Sequence, residues 1–360
     1  MMKINGQMVV LAREIRGLTQ QELARKILKS QATVTRIEGD AWCDVSEEVA
    51  GQIARALAFP IEFFGQTEEL VGFGSSAYYY RKRADLSAVD RKKIHGVVNV
   101  LRINLKKMLD VVEIVPKRPL PVFAVDEYGG SPARVAQALR SFWNVADGPV
   151  NNLTALVESA GVIVVPCDFG TRSMDATSLR LSEVPPLVFM NRDLPGDRWR
   201  FTLAHELAHI VMHQVPHEAM EDEADAFAAE FLLPENDMRA MFSRLGKIRL
   251  VDLINAKPYW KVSVGALIER AHDLEYLNDY WRRSLWIALK RMGYPNEPEP
   301  LTREEPRSQA NILKYFTDSL NFSTAEIAKI LKISPQDLGS WHGLFESADA
   351  AARQRFRLVQ

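Results

Sequence analysis

Apolar residues recur at spacings of three and four through the first 65 residues: Val9, Val10, Leu11 and Ile15, then Leu23, Ala24 and Ile27, then Val34 and Ile37, then Val49, Ile53, Ala54 and Leu57. That period predicts amphipathic helices, broken at Gly17, near Ser30, at Gly39-Asp40 and at Pro60. No strand-like alternation is visible, so an all-helical unit is expected over 1–65. A connector bearing glycine, serine and tyrosine follows over 66–84. One long helix is predicted over 85–115, capped by Asp85 or Ser87 and stopped by Pro116 and Pro119. Its apolar positions Ile94, Val98, Leu101, Leu105, Met108, Val112 and Val115 alternate spacings of four and three. That is the period of a coiled-coil seam, and equally of a helix packed in its own core. Helices are expected at 133–142 and 153–159, and short strands at 162–166, 178–181 and 186–190. Long helices at 198–214 and 218–233 come next, and helices dominate to the end. The expected class is mainly α with a small β-sheet, in four units: 1–65, 66–150, 151–300 and 301–360.

Composition narrows the class without naming a function. The 360 residues are 47% hydrophobic and 25% charged, ordinary globular values that exclude collagen-like and disordered chains. With 45 Lys and Arg against 46 Asp and Glu, no general basic field draws the chain to nucleic acid or membrane. Two distant cysteines, Cys43 and Cys167, make no disulfide framework. No apolar run reaches the roughly 18 residues of a membrane helix, and no secretory leader is read at the start. A cytoplasmic protein with no membrane partner is expected.

Residues 18–38 carry a sharper signal. Thr19 followed by Glu22 forms a capping box, and Ser30 caps a second helix after a turn too short to be a loop. Two helices so joined must pack on each other through Leu23, Ala24, Ile27, Val34 and Ile37. The outward face of the second then shows Gln31, Thr33, Thr35 and Arg36, with Gln20 and Gln21 at the start of the first. Gln and Arg suit bidentate readout of adenine and guanine edges, and Thr suits phosphate or a thymine methyl. The stretch resembles the helix-turn-helix of the XRE (Cro-like) repressor family over about residues 7–65, which implies double-stranded DNA as a partner. One position departs: the family usually has a small residue, often glycine, in the turn, where this chain has Leu28. Residues 1–65 hold eight basic and eight acidic side chains, so affinity rests on placement or on help from elsewhere. Residues 78–118, with eleven basic and four acidic side chains beside Tyr78, Tyr79 and Tyr80, are a candidate for that help or simply a solvated helix face.

Residues 205–209 read His-Glu-Leu-Ala-His. On a helix, His205 and His209 point the same way and can chelate one ion, while Glu206 is offset beside them, placed to act as a general base. Two imidazoles with open coordination positions suit Zn2+. The flanking Leu203, Leu207, Ala208, Ile210 and Val211 predict a mostly buried helix. There a carboxylate with no cation nearby is costly. A third ligand is expected from 221–234, where Glu221 and Asp225 share one helix face and Glu223 competes. Ala224 and Ala228 would let this helix pack close to the histidines. His213 is a candidate distal ligand or substrate contact, and His217 reads as a loop residue.

Glu221 with Asp225 one turn on matches the Glu-x-x-x-Asp pattern of gluzincin peptidases. The resemblance implies that Glu221 binds zinc and that Asp225 orients a ligand histidine; apart from the resemblance, His213 is also expected behind the ligands. A wider set of motifs resembles the ImmA/IrrE-type metallopeptidases from about Leu153 to Pro300. It comprises Gly161-Val162, Asp175-Ala176-Thr177-Ser178, Asn191-Arg192, 198–202, the histidine helix, 221–234, 262–268 and the Gly293–Pro300 segment. This implies a gluzincin-like fold and selective proteolysis inside the cell, often of a repressor or antitoxin. The strand 186–190 is expected at the cleft edge, pairing with an extended substrate, and Arg198 and Arg200 are expected to be structural or solvated.

Residues 323–338 repeat the capped pattern, with Ser323 and Glu326, then Ser334 before Pro335. The second helix shows Gln336 and Asp337, poor for phosphate, so a packing module is expected before a second DNA reader. The functional expectation is a DNA-binding regulator carrying a zinc endopeptidase unit, acting on a repressor- or antitoxin-type protein, and a homodimer joined through the 94–112 seam. Its rivals are a non-catalytic transcription factor with a structural or sensing metal, and an antitoxin-like binder.

Overall fold

The computed structural model describes residues 1–72, 87–171 and 173–344. Arg81, Lys82 and Arg83 of the expected basic patch, the three tyrosines beside it and Asp85 lie outside these residues. Among the described residues the class is mainly helical with two small sheets, and no helix is long and apolar enough to cross a membrane.

The N-terminal unit holds α1 (Gly6–Ile15), α2 (Gln20–Lys26), α3 (Gln31–Gly39) and α4 (Glu47–Leu57). It is not all-helical. Strands β1 (Met2–Ile4) and β2 (Cys43–Val45) pair antiparallel, three residues each, too short for a period to show. The Thr19–Glu22 capping box and the Ser30 cap are both formed. Leu28, in the turn, takes a left-handed φ of 54° and is 83% exposed. A side chain in that region costs ~1–2 kcal/mol, which is why glycine is the usual solution there.

The long helix α5 (Ala88–Leu109) is capped by Ser87. It ends sooner than its pattern suggested, and its seam is not open. Ile94, Val98, Leu101, Leu105 and Met108 are each at most 1% exposed, packed inside this one chain. α5 crosses α1 so closely that a Cβ on Gly96 would fall 2.6 Å from the Ile15 side chain. A seam already filled by intrachain partners cannot join two chains, so the expected dimerisation role of these residues is withdrawn.

Helices α6 (Pro132–Phe142) and α7 (Leu153–Ser159) lead into a three-stranded sheet of β3 (Ile163–Cys167), β4 (Ala176–Leu179) and β5 (Leu187–Asn191), ordered β3-β5-β4. β5 runs parallel to β3 and antiparallel to β4. Alternation splits the sheet between two cores. Ile163, Val165, Cys167, Leu179, Leu187 and Phe189 face one core with α1, α3, α4 and α5. Val162, Val164, Ala176, Val188 and Met190 face the other, with α8 (Gly196–Met212) and α9 (Met220–Leu232). Covering on both sides explains why these strands read as continuous apolar runs.

Around α8 and α9 pack α10 (Glu235–Leu245), α11 (Leu250–Trp260), α12 (Val264–Asp273) and α13 (Asp279–Arg291). The last helices, α14 (Ser308–Lys314), α15 (Thr324–Leu331) and α16 (Pro335–His342), return to the first core through Ile312, Phe316, Ile327, Leu331 and Leu338. Asp337 takes a bidentate pair from Arg16, at 3.0 and 2.7 Å. The same guanidinium lies over Phe59 and Trp341, 4.7 and 5.8 Å from the ring centroids. The second capped pair is therefore a packed module in this fold.

Candidate metal centre

Four contacts pin the start of α8. The buried Lys257 reaches Asp197 at 2.8 Å, Trp199 Nε1 donates to Thr154 Oγ1 at 3.0 Å, and Arg200 pairs with Glu304 while also donating to the Val150 carbonyl. Arg200 is only 2% exposed, so it is an internal tie and not a solvated helix start; Arg198 bonds Asp175. α9 packs against α8, with the small Ala224 and Ala228 fully buried in their shared core.

This packing brings His205, His209 and Glu221 together. His209 Nε2 lies 3.0 Å from His205 Nε2, and Glu221 oxygens lie 3.3 and 3.4 Å from those two nitrogens. Donor atoms on a tetrahedral ion with bonds of ~2.0 Å stand about 3.3 Å apart. The three side chains thus already sit at about the spacing that Zn2+ requires. Glu223, the competing acid, is directed to His213 and His217 instead, at 3.0 and 3.5 Å. Asp225 reaches His205 Nδ1 at 2.8 Å, and His213 Nδ1 lies 2.8 Å from His209 Nδ1. Asp225 can only accept, so it holds the His205 tautomer that leaves Nε2 to an ion, while His213 occupies the second nitrogen of His209.

Glu206 is 5% exposed, and its Oε2 has no hydrogen-bond partner among the described residues. Burial pushes its carboxyl up to about 7, against the pull of the His205 charge and of hydrogen bonds from Ser178 on β4. An orphaned buried oxygen beside three convergent donors has a ready explanation in a cation and its water nearby. His205 is half-buried, and desolvation alone would lower its pKa, but hydrogen bonds to Asp225 and Glu221 and the nearby Glu206 raise it to about 10. His209 goes the other way, to about 2, through burial and then the neighbouring imidazoles. The carboxylate neighbours of His205 thus favour its protonated form, and a cation bound there competes with that proton.

One sequence expectation fails here, and one contact was not foreseen. β5 is the central strand, bonded on both sides, so 186–190 offers no edge to a substrate. Sheet order is a tertiary fact that three short apolar runs do not encode. Ser178 was part of a recognised motif, yet nothing in its spacing marked it as the partner of Glu206.

The DNA-contact candidates are not gathered in a comparable way. Gln21, Gln31, Thr35 and Arg36 are exposed. Thr33 is half-buried and bonded to Ser30, while Gln20 is held by Thr35 at 3.1 Å and Glu38 at 2.8 Å. Glu38 also pairs with Arg13 at 2.6 Å, locking α3 to α1.

No curated protein gives a significant match to the chain. Residues 157–272, which contain the sheet, all of the metal-site side chains and α8 to α12 almost to its end, match the peptidase M78 family model, described as the IrrE N-terminal-like domain, and in this segment the chain is similar to a family of metallopeptidases.

Proposed function

We propose that this protein is a cytoplasmic DNA-binding regulator whose 157–272 segment is a zinc-dependent endopeptidase acting on a repressor- or antitoxin-type protein. The observation that carries the catalytic half is the convergence of His205, His209 and Glu221 beside the unpaired oxygen of Glu206. Zn2+ held by those three ligands supplies Lewis acidity, activating water at neutral pH and polarising a peptide carbonyl. Glu206, its carboxyl held near 7 by burial, takes the proton of the attacking water at Oε2 and returns it to the leaving amine nitrogen. Asp225 and His213 hold the two imidazoles in register.

The DNA-binding half rests on α3. Its exposed Gln31, Thr35 and Arg36 form a polar face on a helix held rigid by Arg13, Glu38 and Gln20. In this reading α3 enters the major groove. Two copies would read a near-palindromic site, joined through a surface other than the α5 seam.

The test uses purified parent protein and Glu206→Gln on proteins encoded beside it. The variant keeps its metal, because the ligands remain, and loses at least ~100-fold in cleavage rate, because the base is gone. A variant that cuts as fast as the parent would leave the metal with a structural or sensing role.

A further inference from the structure

The imidazoles of the metal centre belong to a longer column. His205, His209, His213 and His217 follow every four residues, their ring centroids stepping by 4.8, 4.9 and 5.3 Å. The column continues beyond the end of α8 at Met212. The first pair converges on Glu221. The second converges on one oxygen of Glu223, with His213 Nε2 at 3.0 Å and His217 Nε2 at 3.5 Å. We propose that His213, His217 and Glu223 form a second divalent-cation site, weaker than the first and antagonistic to it.

Two nitrogens and one carboxylate oxygen, all within 4.8 Å of one another, are the donor set of a borderline ion such as Zn2+. They do not make the oxygen cage that Ca2+ or Mg2+ needs. His213 is buried and gives the site a fixed wall, while the His217 side chain is 44% exposed and gives it an entrance and room for water ligands. A donor set that relies on an exposed histidine beyond the end of α8 fills only when the free ion is plentiful.

The antagonism comes from one shared hydrogen bond. When His209 turns Nε2 to the first ion, its proton is on Nδ1 and is donated to His213 Nδ1 across 2.8 Å. Accepting there, His213 keeps its own proton on Nε2, where it is donated to Glu223. A second ion needs that Nε2 lone pair. The proton then relocates to Nδ1, two N–H groups face each other, and the bond between the histidines breaks. Losing one such bond corresponds to about tenfold in affinity, and by linkage each ion weakens the other equally. The second site stands on its own geometry; the antagonism rests on reading the first as a metal site.

The full chain, stripped with a chelator, is titrated with Zn2+ against a competing chromophoric chelator, as the parent, His217→Ala and His205→Ala. The parent takes two equivalents, the second at least ~10-fold weaker. His217→Ala takes only the tight one, with its affinity unchanged or improved. His205→Ala loses the tight one and binds at the remaining site about tenfold better than the parent's second equivalent. A parent that saturates at one equivalent, or a second equivalent that survives His217→Ala, overturns the site. Equal second-site affinity in parent and His205→Ala overturns the antagonism. A parent with no tight ion but a His217-dependent one would refute the peptidase reading and leave the second site standing.

Discussion

On one face of the three-stranded sheet, Val164, Val188 and Met190 meet the histidine helix; on the other, Ile163, Val165 and Phe189 meet α5 and the core it shares with the N- and C-terminal helices. The two halves put their polar groups to opposite use. On the metal side, polar side chains point inward, and burial sets their chemistry: Glu206 up to about 7, His209 down to about 2. On the other side the polar groups of α3 point outward and keep their freedom to meet a partner. A shared wall teaches that the halves are separate in chemistry and joint in stability. Neither can be stripped away without baring a face of apolar strands.

Leu101→Asp strains that comparison hardest. Leu101 is fully buried in the first core, so an unpaired charge there costs upwards of ~4 kcal/mol. Loss of that core bares the sheet, and the metal side should fall in the same transition, read by circular dichroism and by metal release on heating. Metal held firmly by a chain whose N-terminal half has melted would divide the molecule into two independent units.

Acid probes the seam between the N- and C-terminal helices. His342 is buried between Asn104 and Gln309, and burial pushes its pKa down to about 4 from the ordinary 6.5. Below 6.5 the unfolded chain takes up a proton that the folded chain refuses. Stability present above pH 6.5 is therefore lost as pH falls toward 4, by roughly 3 kcal/mol in all. Denaturant titrations at pH 7 and pH 5 measure it, and His342→Asn should flatten the difference. An unchanged slope in that variant would place the acid sensitivity elsewhere.

The smallest change tests the outward face. Arg36→Ala should cost about 1–3 kcal/mol of affinity for an operator duplex and relax base preference at one position per site, with metal content unchanged. Equal binding by parent and variant would remove α3 from the interface.

What was legible in the sequence follows the same division. The histidine helix, the capped helices α2, α3 and α5 and the three strands, the second of them two residues out of place, were readable because their signals are local: a four-residue chelate, a cap three residues from its partner, an apolar run after Gly161. The 94–108 seam was readable as a stripe but not as to its partner, since a 3.5-residue period is the same whether the facing helix belongs to this chain or another. Pairs remote in sequence, such as Arg200 with Glu304 and Arg16 with Asp337, left no local trace. The two capped helix pairs show the limit most plainly. Both have the same cap chemistry, yet α3 stays open while α16 is buried at Asp337, Leu338, Gly339 and His342, because only tertiary contacts decide which face is covered.

The central claim is that His205, His209 and Glu221 hold one metal ion. Its most direct test is the metal content of Glu221→Ala and Glu223→Ala beside the parent, each dialysed against metal-free buffer so that only a tightly held ion remains. One equivalent in the parent and in Glu223→Ala, with little or none in Glu221→Ala, is the predicted result. Equal content in the two variants, or loss from Glu223→Ala alone, would contradict the ligand set and the peptidase reading built on it.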